Sequence, residues 1–254
     1  MADTTLISTE AGRWAAAVGI NTLLMGLAFI SPKKLLTPAG YLHAWVLGVL
    51  VWGCLGPWAY GVVLLYFAAG SAVTKVGYAQ KEAAGIAEAR GGVRGPGNVW
   101  GSALAAALCA VLAWLVGSDR ALYGLLVLGF VASLSTKLSD TSATEIGKAY
   151  GQRTFLITTL QPVPRGTEGA VSLEGTLAGI AGSLVLAVGA WGLGLISLVG
   201  VGICTVAAFV ATTAESLIGA TLEDKLPGLT HDVVNIINTL IGASVAVALG
   251  LLFK

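Results

Sequence analysis

Charge is what this chain has least of. Lys, Arg, Asp and Glu together make up 11% of its 254 residues, against roughly 25% in a soluble domain. That scarcity excludes an ordinary water-soluble globule. The net charge is +1, so no basic field argues for a nucleic-acid partner. There are only two histidines and three cysteines. Cys54, Cys109 and Cys204 stand singly inside apolar stretches, without C-x-x-C spacing. This argues against a zinc cluster or disulfide framework and leaves packing as their role. The pattern G-x-x-x-x-G-K followed by Ser or Thr is absent, which excludes a Walker-type nucleotide loop. The opening stretch MADTTLISTEAGRW carries Asp3 and Glu10 and no basic leader. The first apolar run is therefore expected to be kept as a membrane helix.

Apolar residues and glycine fill the space. The former make up 56%, glycine accounts for 35 residues, and the mean hydropathy is +0.85. Abundant glycine suits transmembrane helices that pack closely. A spanning helix needs about 20 apolar residues. Eight segments qualify: 12–30, 40–56, 57–75, 99–117, 121–140, 175–191, 193–214 and 232–252. The expected fold is an all-α polytopic membrane protein, one integral domain over 1–254 with about eight spans (7–9). Gly56-Pro57 and Trp191-Gly192 are read as tight turns between spans. Residues 40–75 suit either two spans or one span plus a re-entrant piece. Ser71-Ala-Val-Thr-Lys75 and Ser133-Leu-Ser-Thr-Lys137 hint at a weak duplication of 57–117 and 121–191.

Eight crossings place 11 of the 14 Lys and Arg on one side, and Arg13, Arg120 and Lys254 on the other. The positive-inside rule makes the rich side cytoplasmic and both termini non-cytoplasmic. No Asp, Glu, Lys or Arg lies at the centre of a span. A coupled pump usually keeps an ionisable group near the midplane. Polar groups gathered at the inner helix ends favour chemistry at the cytoplasmic interface.

Four clusters carry those groups. From Lys137 to Tyr150, a helix advancing about 100° per residue puts Lys137, Asp140, Thr141, Thr144, Glu145 and Lys148 on one face. Two carboxylates, two lysines and two hydroxyls could hold hydrated Mg²⁺ and the phosphates around it. A solvated face laced with ion pairs is the plainer alternative. The third span is expected to continue as a helix with Thr74, Lys75, Tyr78, Lys81 and Glu82 on one face. It leads into GIAEARGGVRGPGNVW, where glycines and Arg90 and Arg94 could meet an anion or form an ordinary basic loop. The segment TTLQPVPRGTEGAVSLEG mixes proline and glycine with Leu160, Val163 and Val171, as an ordered surface loop does. Arg165 and Thr167 in it are candidate phosphate contacts. The last cluster joins Thr212, Thr213, Glu215 and Ser216 to His231, Asp232, Asn235, Asn238 and Thr239. Amides inside an apolar helix serve either a ligand or interhelical packing. His231 is read as interfacial and His43 as packed.

Several stretches resemble one family of integral membrane proteins, that of domain of unknown function 92, which includes transmembrane protein 19 and plant phytyl-phosphate kinase. They are Ser139-Asp-Thr-Ser-Ala-Thr-Glu-Ile-Gly-Lys148, Ile157-Thr-Thr-Leu-Gln-Pro-Val-Pro-Arg-Gly-Thr-Glu-Gly-Ala-Val-Ser172, Gly91-Gly-Val-Arg94 with Asn98, and Glu215-Ser-Leu-Ile-Gly-Ala-Thr221 followed by Asn235. The resemblance covers most of the chain in the family's order. It implies an isoprenoid-phosphate kinase that passes a phosphoryl group from a nucleoside triphosphate, CTP being expected, to phytyl phosphate. The phytyl diphosphate formed would serve tocopherol and prenylquinone synthesis in the cell inner membrane or a photosynthetic membrane.

For that chemistry the expected catalytic residues are Asp140, Glu145 and Lys148. Asp140, Glu145 and Glu215 are the expected Mg²⁺ ligands. Lys75, Lys81, Arg94, Asn98, Arg153, Thr159, Arg165, Asn235 and Asn238 are the expected phosphate or nucleotide contacts. The partners are a prenyl monophosphate and the membrane lipids around it. A polyprenol kinase, a lipid cytidylyltransferase that uses CTP, and a lipid or metabolite transporter remain as alternatives.

Overall fold

The computed structural model describes residues 9–222, 226 and 228–253, with the side chains of Ala89 and Arg90 left aside. Lys225 and Lys254, counted above in the charge asymmetry, lie outside the described residues. Eight helices are long and apolar enough to cross a membrane. They are α1 (Glu10–Ile30), α2 (Pro38–Leu55), α3 (Pro57–Lys75), α5 (Pro96–Val116), α6 (Ala121–Tyr150), α7 (Leu173–Gly192), α8 (Leu198–Thr221) and α9 (His231–Leu252), with a short α4 (Tyr78–Ala83) between α3 and α5. The protein is a multi-pass integral membrane protein.

Helix starts are written locally. Thr9, Thr37, Ser172, Ser197 and Thr230 each cap a helix, their hydroxyls accepting from the backbone amide three residues on. Such a cap satisfies one of the orphan donors at a helix start. Pro38, Pro57 and Pro96 open α2, α3 and α5, where the missing N–H costs nothing. Gly56, at φ +88, turns α2 directly into α3. Residues 40–75 are therefore two spans, with no re-entrant piece.

The bundle is organised around α6, which packs against α3, α5, α7, α8 and α9. Phe130, Val131, Leu134 and Leu138 sit in the core with Val51, Val62, Leu186 and Cys204. The packing is close because the facing residues are small. A Cβ on Gly175 would lie 2.7 Å from the Ala143 carbonyl oxygen, and one on Gly182 would lie 2.5 Å from Ser142 Oγ. Gly175 and Gly179 thus form a G-x-x-x-G contact face on α7. At 30 residues α6 is about 45 Å long, against a hydrocarbon core of about 30 Å. It is therefore longer than a straight crossing needs, and its last turns carry Asp140 to Lys148.

The fold is the expected all-α membrane bundle, with one short addition: β1 (Thr154–Leu156) and β2 (Ala170–Ser172) form an antiparallel hairpin with Thr154 opposite Ser172. Two expectations need correction. Trp191-Gly192 is not a tight junction, since residues 193–197 separate α7 from α8. The third span does not continue past Lys75. The chain breaks at Gly77, φ +60, and α4 folds back against α6. Only glycine enters that left-handed conformation freely, and here a Cβ would also lie 2.7 Å from that of Ala149. Cys54, Cys109 and Cys204 are buried and unpaired as expected. His43 is packed too, its Nδ1 accepting from Trp100 Nε1 at 2.8 Å.

Candidate active site

The reversal at Gly77 brings Lys81 into the protein. Its ammonium is fully buried and donates to the Thr74 carbonyl at 2.9 Å and to Glu145 Oε2. About two turns earlier on α6, Lys137 Nζ donates to Asp140 Oδ2 at 2.5 Å and to Asn235 Oδ1 of α9 at 2.6 Å. Lys137, Asp140 and Asn235 are all buried. Two lysine–carboxylate pairs thus lie against one helix at one end of the bundle. Desolvating each ion costs several kcal/mol, and apolar replacements often stabilise such sites. Their presence points to a use other than stability.

Two clefts meet at this place. The larger, of about 1020 Å³, lies between α6, α7, α8 and the hairpin, with Asp140, Lys148, Thr176, Thr212, Glu215 and Ser216 on its walls. The loop 157–169 roofs it. That loop is ordered, as expected: Ile157 N donates to the Gly169 carbonyl and Val163 N to that of Thr154, each at 3.0 Å. Gly169, φ +73, presses on α8 so tightly that a Cβ would come within 2.4 Å of the Ala220 Cβ.

The second cleft, of about 650 Å³, is lined by Tyr66, Thr74, Arg94, Asn98, Lys137, Glu145 and Asn235 among others. All six residues of the expected polar face of α6 line it. Asp140, Thr144, Lys148 and His231 line both clefts. They mark the junction, where a group bound in one cleft can meet a group bound in the other.

Several expected contacts are in place. Arg94 and Asn98 border the second cleft, and Asn98 also closes the start of α5 by accepting from Gly95 N at 3.0 Å. Asn235 borders the second cleft as well, as the partner of Lys137. Lys81 does not: it is fully buried, lines neither cleft and pairs with Glu145. Others are not brought together. Lys75 is exposed where α3 ends, because the helix does not continue. Arg153 and Thr159 are exposed and line neither cleft. Arg165 Nη1 donates to the Ala149 carbonyl at 2.9 Å, which ties the loop to the end of α6. Asn238 is fully buried one turn deeper than Asn235 and lines neither cleft.

Among the described residues no three His, Cys, Asp or Glu side chains cluster closely enough to hold a metal ion. The expected trio of Mg²⁺ ligands is therefore not assembled, since Glu145 turns to Lys81 while Asp140 and Glu215 face the larger cleft. Mg²⁺ bound to phosphates needs only one or two protein carboxylates, and Asp140 and Glu215 are among the carboxylates on the walls of the larger cleft.

Two residues were under-read in the sequence. His231, exposed at the start of α9, lines both clefts, a place beyond the interfacial one expected for it. Tyr66 accepts from Arg94 Nη1 at 3.3 Å. Its signal was available, because Tyr66, Gly70 and Thr74 recur every fourth residue on one face of α3.

Three relatives align with almost the full chain. Uncharacterized membrane protein sll0875 of Synechocystis is 62% identical over 93% of this chain and 91% of its own length. Protein VTE6, chloroplastic, of Arabidopsis thaliana is 44% identical over 95% and 73% respectively. Uncharacterized membrane protein MJ0933 of Methanocaldococcus jannaschii is 31% identical over 91% and 92%. No solved structure matches. The family model of integral membrane protein DUF92 matches residues 21–243, a range that holds every residue of both clefts, and this chain belongs to that family.

Proposed function

We propose that this protein is an isoprenoid-phosphate kinase, moving a phosphoryl group from a nucleoside triphosphate, with CTP expected, to phytyl phosphate. The observation that carries this reading is the meeting of two polar clefts at Asp140, Thr144, Lys148 and His231. The larger, hairpin-roofed cleft suits the nucleotide, which enters with its Mg²⁺. The second cleft, bordered by Arg94 and Lys137, suits the lipid phosphate. The family resemblance and the alignment with the chloroplast protein VTE6 support the same choice and a place in tocopherol and prenylquinone synthesis.

The acceptor needs little activation. A phosphate monoester has a second pKa near 6, so its oxygen is already anionic at neutral pH. The remaining work is positioning and neutralising charge. Lys148 bridges the clefts and faces the phosphates from both sides. Lys137 and Asn235 hold the Asp140 region in one orientation. Asp140 and Glu215 would hold the Mg²⁺ of the nucleotide, which when bound neutralises phosphate charge. Thr144 and the loop 166–169 offer hydroxyl and backbone donors.

One observation favours a second reading. His231 lines both clefts and could take a proton from an alcohol, which needs a positioned base. That would make the protein a polyprenol kinase. The deciding assay gives purified protein Mg²⁺, CTP and either phytyl phosphate or phytol. Phytyl diphosphate with CDP is the expected product. Pyrophosphate release would indicate a cytidylyltransferase, and efficient conversion of phytol to phytyl phosphate would overturn the assignment.

A further inference from the structure

A third cavity, of about 620 Å³, lies among α1, α2, α3 and α5. Its walls are nearly all apolar, with Met25, Ala44, Leu47, Val63 and Leu64 along its length. At one end it reaches Tyr66, Arg94, Asn98 and Ser102, and the same four residues line the second cleft. Groove and cleft are therefore neighbours that share a border, with Arg94 in it.

Arg94 is anchored by its surroundings. Its backbone N donates to the Leu35 carbonyl at 3.0 Å and its carbonyl accepts from Thr37 N at 3.0 Å. The guanidinium carbon lies 5.6 Å from the Tyr66 ring centre and 5.5 Å from that of Phe67. Gly70 leaves room for it, since a Cβ there would approach Nη2 to 2.9 Å. Among the described residues the ion pairs are Lys81–Glu145 and Lys137–Asp140, and neither includes Arg94. A guanidinium fixed against two rings, bordering a cleft and in neither pair, is matched to a phosphate.

We propose that this groove holds the hydrocarbon chain of a prenyl monophosphate whose phosphate meets Arg94. The lipid's identity rests on the kinase reading, whereas the groove itself is tested by binding. The three cavities then form one line: chain among α1, α2, α3 and α5, phosphate at Arg94, transfer at Asp140 and Lys148, nucleotide under the hairpin.

The test uses a phytyl-length prenyl monophosphate carrying a terminal diazirine, added to the purified protein in detergent without nucleotide. Photolysis and peptide mass spectrometry locate the attached chain. Labelling is expected on groove residues of α1, α2, α3 and α5. It should fall at least tenfold in Arg94→Gln, and also in Ala44→Phe, which fills the groove. Val63→Phe serves if Ala44→Phe lowers the thermal midpoint. Labelling on α7 or α8, or spread evenly over outward residues such as Leu23 and Leu27, overturns the proposal. So does labelling indifferent to Arg94→Gln. Groove labelling without phosphoryl transfer leaves the groove standing and defeats only the kinase reading. Transfer with labelling elsewhere does the reverse.

Discussion

Lys81 and Lys137 are removed from water, and each has one carboxylate to balance it. That pairing sets what substitutions do. Asp140→Asn and Glu145→Gln are each expected to lower kcat at least about 100-fold, the lower range for losing one charge-stabilising group. Steady-state assay with phytyl phosphate measures it, and near-normal turnover of Asp140→Asn would place the metal contact elsewhere. Glu145→Gln should also strand the Lys81 charge, at a cost of about 3–5 kcal/mol. Its thermal midpoint in detergent should drop by roughly 10 °C, given about 2–4 °C per kcal/mol. The neutral double variant Lys81→Met with Glu145→Met should recover the midpoint and not the turnover. A second contrast separates cations at the site from cations near it. Lys148→Ala should reduce kcat/KM at least about 100-fold, while Lys75→Ala and Arg153→Ala should change it less than about threefold, as exposed charges do. Equal losses in all three would mean that the exposed lysine and arginine reach the substrate. At this scale the polar face of α6 was legible, because helical periodicity alone puts Asp140, Glu145 and Lys148 together. The partners of those residues were not, since Lys81 and Asn235 lie 64 and 98 positions from Glu145 and Lys137.

The contact of α6 with α7 decides where the larger cleft stands. Ser139, Ser142 and Ala143 on α6 face Gly175, Gly179 and Gly182 on α7 without room for a side chain. Gly182→Val should therefore wedge the helices apart and destabilise the fold by about 1–3 kcal/mol, the usual cost of overpacking. Gly202→Val serves as control, because nothing lies within 4 Å of a Cβ there. Thermal unfolding of both in the same detergent checks this, and equal midpoints would argue that the α6–α7 spacing is soft. Helix existence was readable from apolar runs, and all eight spans were found, although α6 and α8 run on past the expected ends at 140 and 214 to Tyr150 and Thr221. The end of α3 was misjudged. Thr74, Tyr78 and Lys81 have helical spacing, and periodicity does not register one glycine at φ +60. The hairpin escaped notice too, since strands of three residues are too short for alternation to show.

For the whole molecule, eight crossings bring the ends of α1 and α9 that border residues 9 and 253 to one face, and the clefts open at the other. If the positive-inside rule holds, the clefts face the cytoplasm, where nucleoside triphosphates are. Single cysteines at the exposed positions Ala84 and Gln161 test it in a background without the three native cysteines. In sealed right-side-out vesicles an impermeant thiol reagent should label neither, and in inverted vesicles it should label both. The opposite pattern would put the clefts outside and deprive them of nucleotide. The sequence by itself determined the membrane class, the number of spans, the polar face of α6 and the family, because hydropathy and helical period are local properties of the chain. Tertiary structure alone decided which cations are drawn into the bundle. Lys75 and Lys81 look alike in the sequence, yet a turn at Gly77 leaves one exposed and buries the other. It alone revealed that two clefts meet at Asp140 and Lys148 and that an apolar groove ends at Arg94. Cavities are enclosed by residues far apart in the chain, and no local pattern records the space between them.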